Sequence, residues 1–412
     1  METSLSGLRV VDVTQGISGP FATKILAGLG AEVIKVERPG GDPARSWSPI
    51  CHGDQEVPHS ALFQFLNKNK QSIEINLKAS ASREAFTRLV ANADVVVESY
   101  RPGTMERLGL SYGQLQRVRP SLVMTSISNF GSKGPLRDFE ATELNIFALG
   151  GRMAASGTRP RPPVRLLGGS SLFMAGTVAA GATLIALRGR KKDGMGDHLD
   201  VSIANTILGE PDRGLCLYSY SKINMERLDG HRPYQSFPAA DGFVVINVNR
   251  GIERVANMIG RPELASDPRF TSNAARLDHA NELEPLIIEW TVTRTKAEIV
   301  AAAREYRVIA APVATMPEVL NEPALRNREF FKDAPRAGCA CTSLEIGPPF
   351  RIHTAPGLGW RDQQPAPPLG HHTEQVLQTV AGMSASEVAG VVRANRSGEE
   401  PWRHPAPVEV SE

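Results

Sequence analysis

At 412 residues with 41% hydrophobic content, the chain is long enough for two domains of ordinary size with their own cores. Its 46 Lys and Arg against 44 Asp and Glu leave a net charge of only +2, so no broad basic field argues for nucleic acid or for a membrane surface as partner. The four cysteines, Cys51, Cys216, Cys339 and Cys341, make no CxxC pair and no Cys/His zinc spacing, so neither a metal nor a disulfide framework is expected.

The chain opens with a β-loop-α-β rhythm: a strand over 8–13, a loop over 15–20, a helix over 21–29 stopped at Gly30, and a strand over 32–36. Residues 1–20 lack a charged segment followed by an apolar one, and no run of about 20 apolar residues is read anywhere, so the expected compartment is the cytoplasm. A second unit repeats the rhythm, with strands at 72–77, 95–98 and 122–126 and helices at 82–91 and 112–118. Strands separated by helices imply a parallel sheet with right-handed crossovers. The loop Gly16-Ile17-Ser18-Gly19-Pro20 is not a GxGxxG dinucleotide fingerprint.

From 170 to 187 the sequence is apolar and rich in Ala and Gly, the pattern of a buried, closely packed helix, with Ser170 and Ser171 as its expected caps. A strand over 198–203 then leads into a helix. Asp241-Gly242 followed by 243–248 reads as the turn and second strand of a hairpin, and 253–260 and 280–304 are helical by spacing. The Pro-rich tail holds Leu369-Gly370-His371-His372-Thr373, in which Thr373 is placed to cap a helix, and the end beyond about residue 397 is expected to be loose.

Several separated motifs carry a resemblance that covers nearly the whole chain. They are Leu5-Ser6-Gly7-Leu8-Arg9-Val10-Val11-Asp12, Ser18-Gly19-Pro20, Gly30-Ala31-Glu32-Val33-Ile34-Lys35-Val36-Glu37-Arg38-Pro39, Asn67-Lys68-Asn69-Lys70 and Glu98-Ser99-Tyr100-Arg101-Pro102-Gly103. Asp241-Gly242, Asp267-Pro268-Arg269-Phe270, Asn273 and the Leu369-Gly370 segment follow in order. The set resembles the family III CoA-transferases, also called the CaiB/BaiF family. The resemblance implies an α/β fold with a large Rossmann-like parallel-sheet domain, a smaller inserted α+β domain, and two ring-like subunits interlocked as a dimer. It places the large domain at 1–205 and 330–412 and the linker with the small domain at 206–329.

The same resemblance exposes a missing group. Pro162-Pro163-Val164 through Gly176-Thr177-Val178-Ala179-Ala180 looks like the family's active-site stretch, in which an Asp stands eight residues after the Val and four before the Gly. Both counts arrive at Leu172, and no acidic residue occurs between Glu143 and Asp193. In the family the Asp carboxylate attacks the donor thioester to form a mixed anhydride, which the freed CoA thiolate converts to an aspartyl thioester. Leucine has no lone pair to begin that sequence. The racemase branch pairs the Asp with a His just before Glu143-Leu144-Asn145, where this chain has Thr142, so that proton-transfer pair is absent too. Glu143 matches an acidic position near some active sites and is a weak catalytic candidate. The segment 228–232, with one glycine at Gly230, stands where some transferases carry a glycine run.

The resemblance assigns CoA phosphate and adenine contacts to Arg38, Lys70 and Arg101, with Asn69 beside them, and the thioester loop to Gln15, Ile17 and Ser18. A guanidinium fork suits phosphate oxygens, and an ammonium acts as a point charge. Three functions remain open on this reading. One is a catalytically silent subunit of a heteromeric CoA-transferase whose homologous partner keeps the Asp. Within the family this resembles the Asp-less subunit of the succinyl-CoA:(R)-benzylsuccinate CoA-transferase of anaerobic toluene degradation. The others are a stand-alone acyl-CoA lyase, isomerase or hydrolase on the same fold, and a CoA-ester-binding protein without catalysis.

Overall fold

The computed structural model describes residues 3–51, 59–159, 161–166, 168–209, 213–227, 234–248, 251–335, 342–350 and 364–396. The single-glycine segment at 228–232, the Cys339 and Cys341 pair and the tail beyond 397 lie outside these residues. The chain divides into two compact units. One comprises Met1–Met153, Arg165–Ile223 and Glu329–Glu412, and the other Ala154–Val164 and Asn224–Arg328.

The first unit is built on six parallel strands: β1 (Arg9–Val13), β2 (Glu32–Glu37), β3 (Lys70–Glu74), β4 (Val95–Glu98), β5 (Val123–Ser128) and β6 (His198–Ser202). Their order across the sheet is β3-β2-β1-β4-β5-β6. The valine- and isoleucine-rich runs of the central strands β1, β2 and β4 are what a sheet covered on both faces requires. Val11, Val13, Ile34, Val36 and Ile73 pack on one side with Phe86 and Leu89 of α2 (Ser80–Ala91) and with the C-terminal Val376, Leu377, Val388 and Val391. Val10, Val33, Val95 and Val123 pack on the other with Leu26 and Ala27 of α1 (Ser18–Gly28). A short helix, α3 (Glu143–Leu149), and the long α4 (Ser170–Arg190) add Ile146, Phe147, Ala175 and Ala179 to that second layer.

Helix α1 starts at Ser18, earlier than the loop reading of 15–20, because Gly19 and Pro20 occupy the first turn, where proline's missing N–H has no intrahelical partner to lose. Helix α4 is long and apolar enough, by length and composition, to cross a membrane, which corrects the expectation that no such run occurs. In this fold its small-residue face is buried. A Cβ at Gly176 would lie 2.5 Å from the Ser18 carbonyl oxygen, so only glycine lets α4 approach α1 this closely.

Edge strand β3 is covered by the returning C-terminus. His372 donates its N–H to Ser72 O at 2.9 Å, and Asn395 donates its side-chain amide to Glu74 O at 2.7 Å. Thr373 is the first residue of helix Thr373–Thr379 rather than its cap, its hydroxyl donating to Gly370 O at 2.8 Å while accepting from Glu74 N at 3.0 Å. The Gly370-to-Thr373 motif therefore secures an otherwise open sheet edge.

In the second unit, Tyr234–Ala239, Gly242–Asn247 and Ala310–Pro312 form an antiparallel sheet, with the hairpin where Asp241-Gly242 predicts it. The helical stretch read over 280–304 is two helices, Ala280–Thr291 and Lys296–Glu305. Thr295 interrupts it by capping the second helix reciprocally with Glu298.

Candidate functional site

The strand order reverses direction between β1 and β4: β2 and β3 continue to one side, β5 and β6 to the other. The chain segments leaving these two strands diverge, and the crevice they leave at the carboxyl edge is where doubly wound sheets bind ligands. Here the loop after β1 is tied across that point to the loop after β4, with Gln15 N donating to Ser99 Oγ at 2.9 Å. Asp42, beyond β2, accepts from Gly16 N at 3.2 Å and pairs with the buried Lys35 ammonium at 2.9 Å, so three loops are fixed relative to one another. Gly16 has φ 75, and a Cβ there would lie 3.3 Å from the Trp47 ring, which rests on this loop.

A cleft of about 820 Å³ opens at this edge. Gln15, Ile17, Ser18 and Arg101 line it, as does Leu172, and so do Trp47, Arg107 and Arg137, which the sequence reading missed. Arg107 and Arg137 carry no motif signal of their own; Arg107 lies six residues beyond Arg101, in the helix after the Arg-Pro-Gly loop. Arg101 is exposed and pairs with Glu140 at 2.6 Å, a bond that a phosphate can replace because solvent screens such pairs. A recess of about 250 Å³ shares Tyr100, Arg101 and Arg137 with the cleft and includes Glu98, Ser126, His198 and Asp200. Burial pushes the Glu98 carboxyl up to about 7, despite hydrogen bonds from Ser126 and from Tyr100 N at 2.7 Å.

Lys70 departs from its expected role. Its ammonium is fully buried among Asp12 Oδ2 at 3.0 Å, Thr23 Oγ1 at 2.8 Å, Asn67 Oδ1 at 2.9 Å and Pro20 O at 3.0 Å. An ammonium has three donors, and four oxygens surround this one, so none is left for a phosphate. Lys70 is a core group. Burial opposes ionisation of Asp12, but Lys70, Lys35 and hydrogen bonds from Thr14 and Thr23 outweigh it and hold the carboxyl far below its ordinary range. Asn69, at φ 62, holds the returning chain, its Oδ1 accepting from Gln364 N at 2.6 Å. Arg38 follows β2, half-buried, with Nε donating to Gly41 O at 3.1 Å. None of these three is among the residues that line the cleft.

Leu172 lies in the first turn of α4, half-buried, with one side on the cleft. The N-cap is Gly169, at φ 75, and no side chain caps the helix from that position, which corrects the assignment of Ser170 and Ser171 as caps. Glu143 supplies the charge instead: its Oε1 accepts from Ser171 N at 3.1 Å, and its Oε2 faces Arg165 Nη1 at 3.5 Å. A carboxylate against the positive end of a helix is a stabilising arrangement. Thr142, where a racemase would need its His, caps α3 with Asn145, its hydroxyl donating to Oδ1 at 2.8 Å.

The family model described as CoA-transferase family III matches residues 5–373. The chain is 33% identical over 393 residues to the succinyl-CoA–D-citramalate CoA-transferase of Chloroflexus aurantiacus, covering 93% of this chain and 96% of that protein. It is 33% identical over 385 residues to the succinyl-CoA:mesaconate CoA-transferase of Haloarcula marismortui, covering 91% and 96%. Among solved structures, a CAIB/BAIF family protein from Brucella suis superposes with a TM-score of 0.83 at 28% identity, over 91% of this chain and 99% of that one.

Proposed function

This chain belongs to CoA-transferase family III, and from that premise we propose that it is the catalytically silent subunit of a heteromeric CoA-transferase. Relatives along the whole chain support CoA transfer between acyl-CoA and carboxylic acids as the family chemistry. The observation that carries the silent role is Leu172. The cleft, its arginines and the tied loops are all present, while the position of the nucleophile holds a side chain that cannot attack a thioester. Glu143, the acidic candidate of the sequence reading, is committed to Ser171 N and Arg165. Transfer then belongs to a homologous subunit that keeps the Asp, and this chain completes the assembly and binds CoA thioester. The interlocked ring-like dimer is the arrangement we assign to the pair. Succinyl-CoA is the proposed donor, in keeping with the names of the relatives, and (R)-benzylsuccinate the acceptor drawn from the resemblance.

The test is turnover of the purified chain with succinyl-CoA and, in turn, (R)-benzylsuccinate, mesaconate, D-citramalate and glutarate. None is expected alone. Co-expression with an Asp-bearing homologue is expected to give a mixed oligomer by native mass measurement, with transfer lost when the partner's Asp is replaced by Ala. Turnover by the pure chain would sink the proposal. Lyase, isomerase or hydrolase products from the pure chain would assign it to stand-alone chemistry. CoA-ester binding with no partner at all would leave a binding protein.

A further inference from the structure

We infer that the acyl end of this chain's own cleft selects a neutral, apolar acyl-CoA and discriminates against one that ends in a carboxylate. The inference rests on the reading that Leu172 replaces the nucleophile in a cleft that still binds CoA. Leu172, Ile17 and Trp47 all line that cleft. Ile17 is close to the segments that carry the other two: Gly16 before it lies under the Trp47 ring, and its own Cδ1 lies 3.4 Å from where a Cβ of Gly169, the N-cap of α4, would be. Loss of the Asp therefore removes a charge and extends an apolar wall.

A carboxylate-terminated acyl group would need a compensating donor at that wall. The cleft's arginines, Arg101, Arg107 and Arg137, belong to the segments that follow β4 and β5, and at Leu172 itself the source of positive potential is the N-terminus of α4, whose donors are spent. Ser171 N donates to Glu143, while Leu172 N and Phe173 N both turn back to Gly169 O, at 2.9 and 3.1 Å. Glu143 places a negative charge one residue from Leu172, and Arg165 is already engaged with it. A second carboxylate there would be desolvated beside leucine, isoleucine and tryptophan and repelled by a like charge. A methyl-terminated chain of the same length meets no such cost and gains from each methylene withdrawn from water.

Calorimetric titration of the purified full chain with CoA, butyryl-CoA and succinyl-CoA tests this, since the two esters share a four-carbon acyl chain and differ in methyl against carboxylate. Butyryl-CoA is expected to bind at least about tenfold more tightly than succinyl-CoA. Leu172→Arg is expected to reverse the order, and Leu172→Met, which keeps an apolar side chain of similar volume, to preserve it. Equal affinity of the two esters in the unaltered chain would overturn this inference alone. Turnover of either ester by the pure chain would overturn the silent-subunit reading alone, and failure to bind CoA itself would overturn both.

Discussion

At the scale of single residues, two cations from the same set of motifs have opposite fates, and magnitudes separate them. Lys70 is fully buried against Asp12, so Lys70→Ala takes the directly bonded cation from a core carboxylate and leaves it with Thr14, Thr23 and the more distant Lys35. That is expected to cost about 3–5 kcal/mol of folding stability, read by chemical denaturation. Arg101 is exposed, and its pair with Glu140 is worth at most about 1 kcal/mol. Arg101→Ala should therefore leave the melting temperature within a few degrees while weakening CoA binding by about 1–3 kcal/mol, the range for a charge-assisted hydrogen bond left unmade. Unchanged calorimetric affinity would remove Arg101 from the site. The Asn67-to-Lys70 motif was legible in the sequence, but its meaning was not. The alternation of apolar residues says nothing about which lysine finds an aspartate 58 positions away. For the same reason the strand read at 72–77 begins at Lys70: a buried ion pair lets polar residues enter the sheet.

At the scale of elements, the site depends on how α4 meets α1 and on how β4 ends. The Gly176 contact with the Ser18 carbonyl leaves no room for a methyl group. Gly176→Ala is expected to destabilise the fold by about 1–3 kcal/mol despite alanine's better helix propensity, and to weaken CoA binding by shifting Ser18. A variant as stable as the parent in a thermal melt would contradict that close packing. Strand β4 ends in Glu98, whose carboxyl is raised to about 7 by burial and which holds Tyr100 N, at the root of the Arg101 loop. Between the ordinary Glu range near pH 4.3 and about pH 7, the folded chain keeps a proton that the unfolded chain has released. Stability contributed by this group is thus fully present below that window and falls as pH rises through it. Denaturant midpoints at pH 5 and pH 7.5 should show a loss in the parent that exceeds the loss in Glu98→Gln by up to about 3 kcal/mol. Equal losses would mean that Glu98 is ionised throughout.

At the scale of the whole molecule, the first unit leaves large apolar side chains in water, and under the heteromeric proposal these are the candidates for the subunit contact. Ile185 on α4 is 74% exposed and Tyr220 is 90% exposed. Large apolar residues in that state mark association surfaces when they recur along neighbouring elements. Ile185→Glu together with Tyr220→Glu is expected to lower the fraction of mixed oligomer in native mass spectra while leaving CoA affinity unchanged. An unaltered oligomer would place the contact elsewhere.

The sequence by itself determined the family, the alternation of strands and helices, and the absence of the nucleophile at Leu172, because each is written in local spacing and in ordered motifs along one dimension. The family resemblance also pointed to Gln15, Ile17, Ser18 and Arg101, which line the cleft in the structure. Only the tertiary structure decided that Lys70 belongs to the core, that Glu143 rather than Ser170 or Ser171 caps α4, and that Trp47, Arg107 and Arg137 complete the cleft. Those assignments rest on contacts between residues far apart in the chain, where burial and partner choice, not local propensity, set what each charged group does.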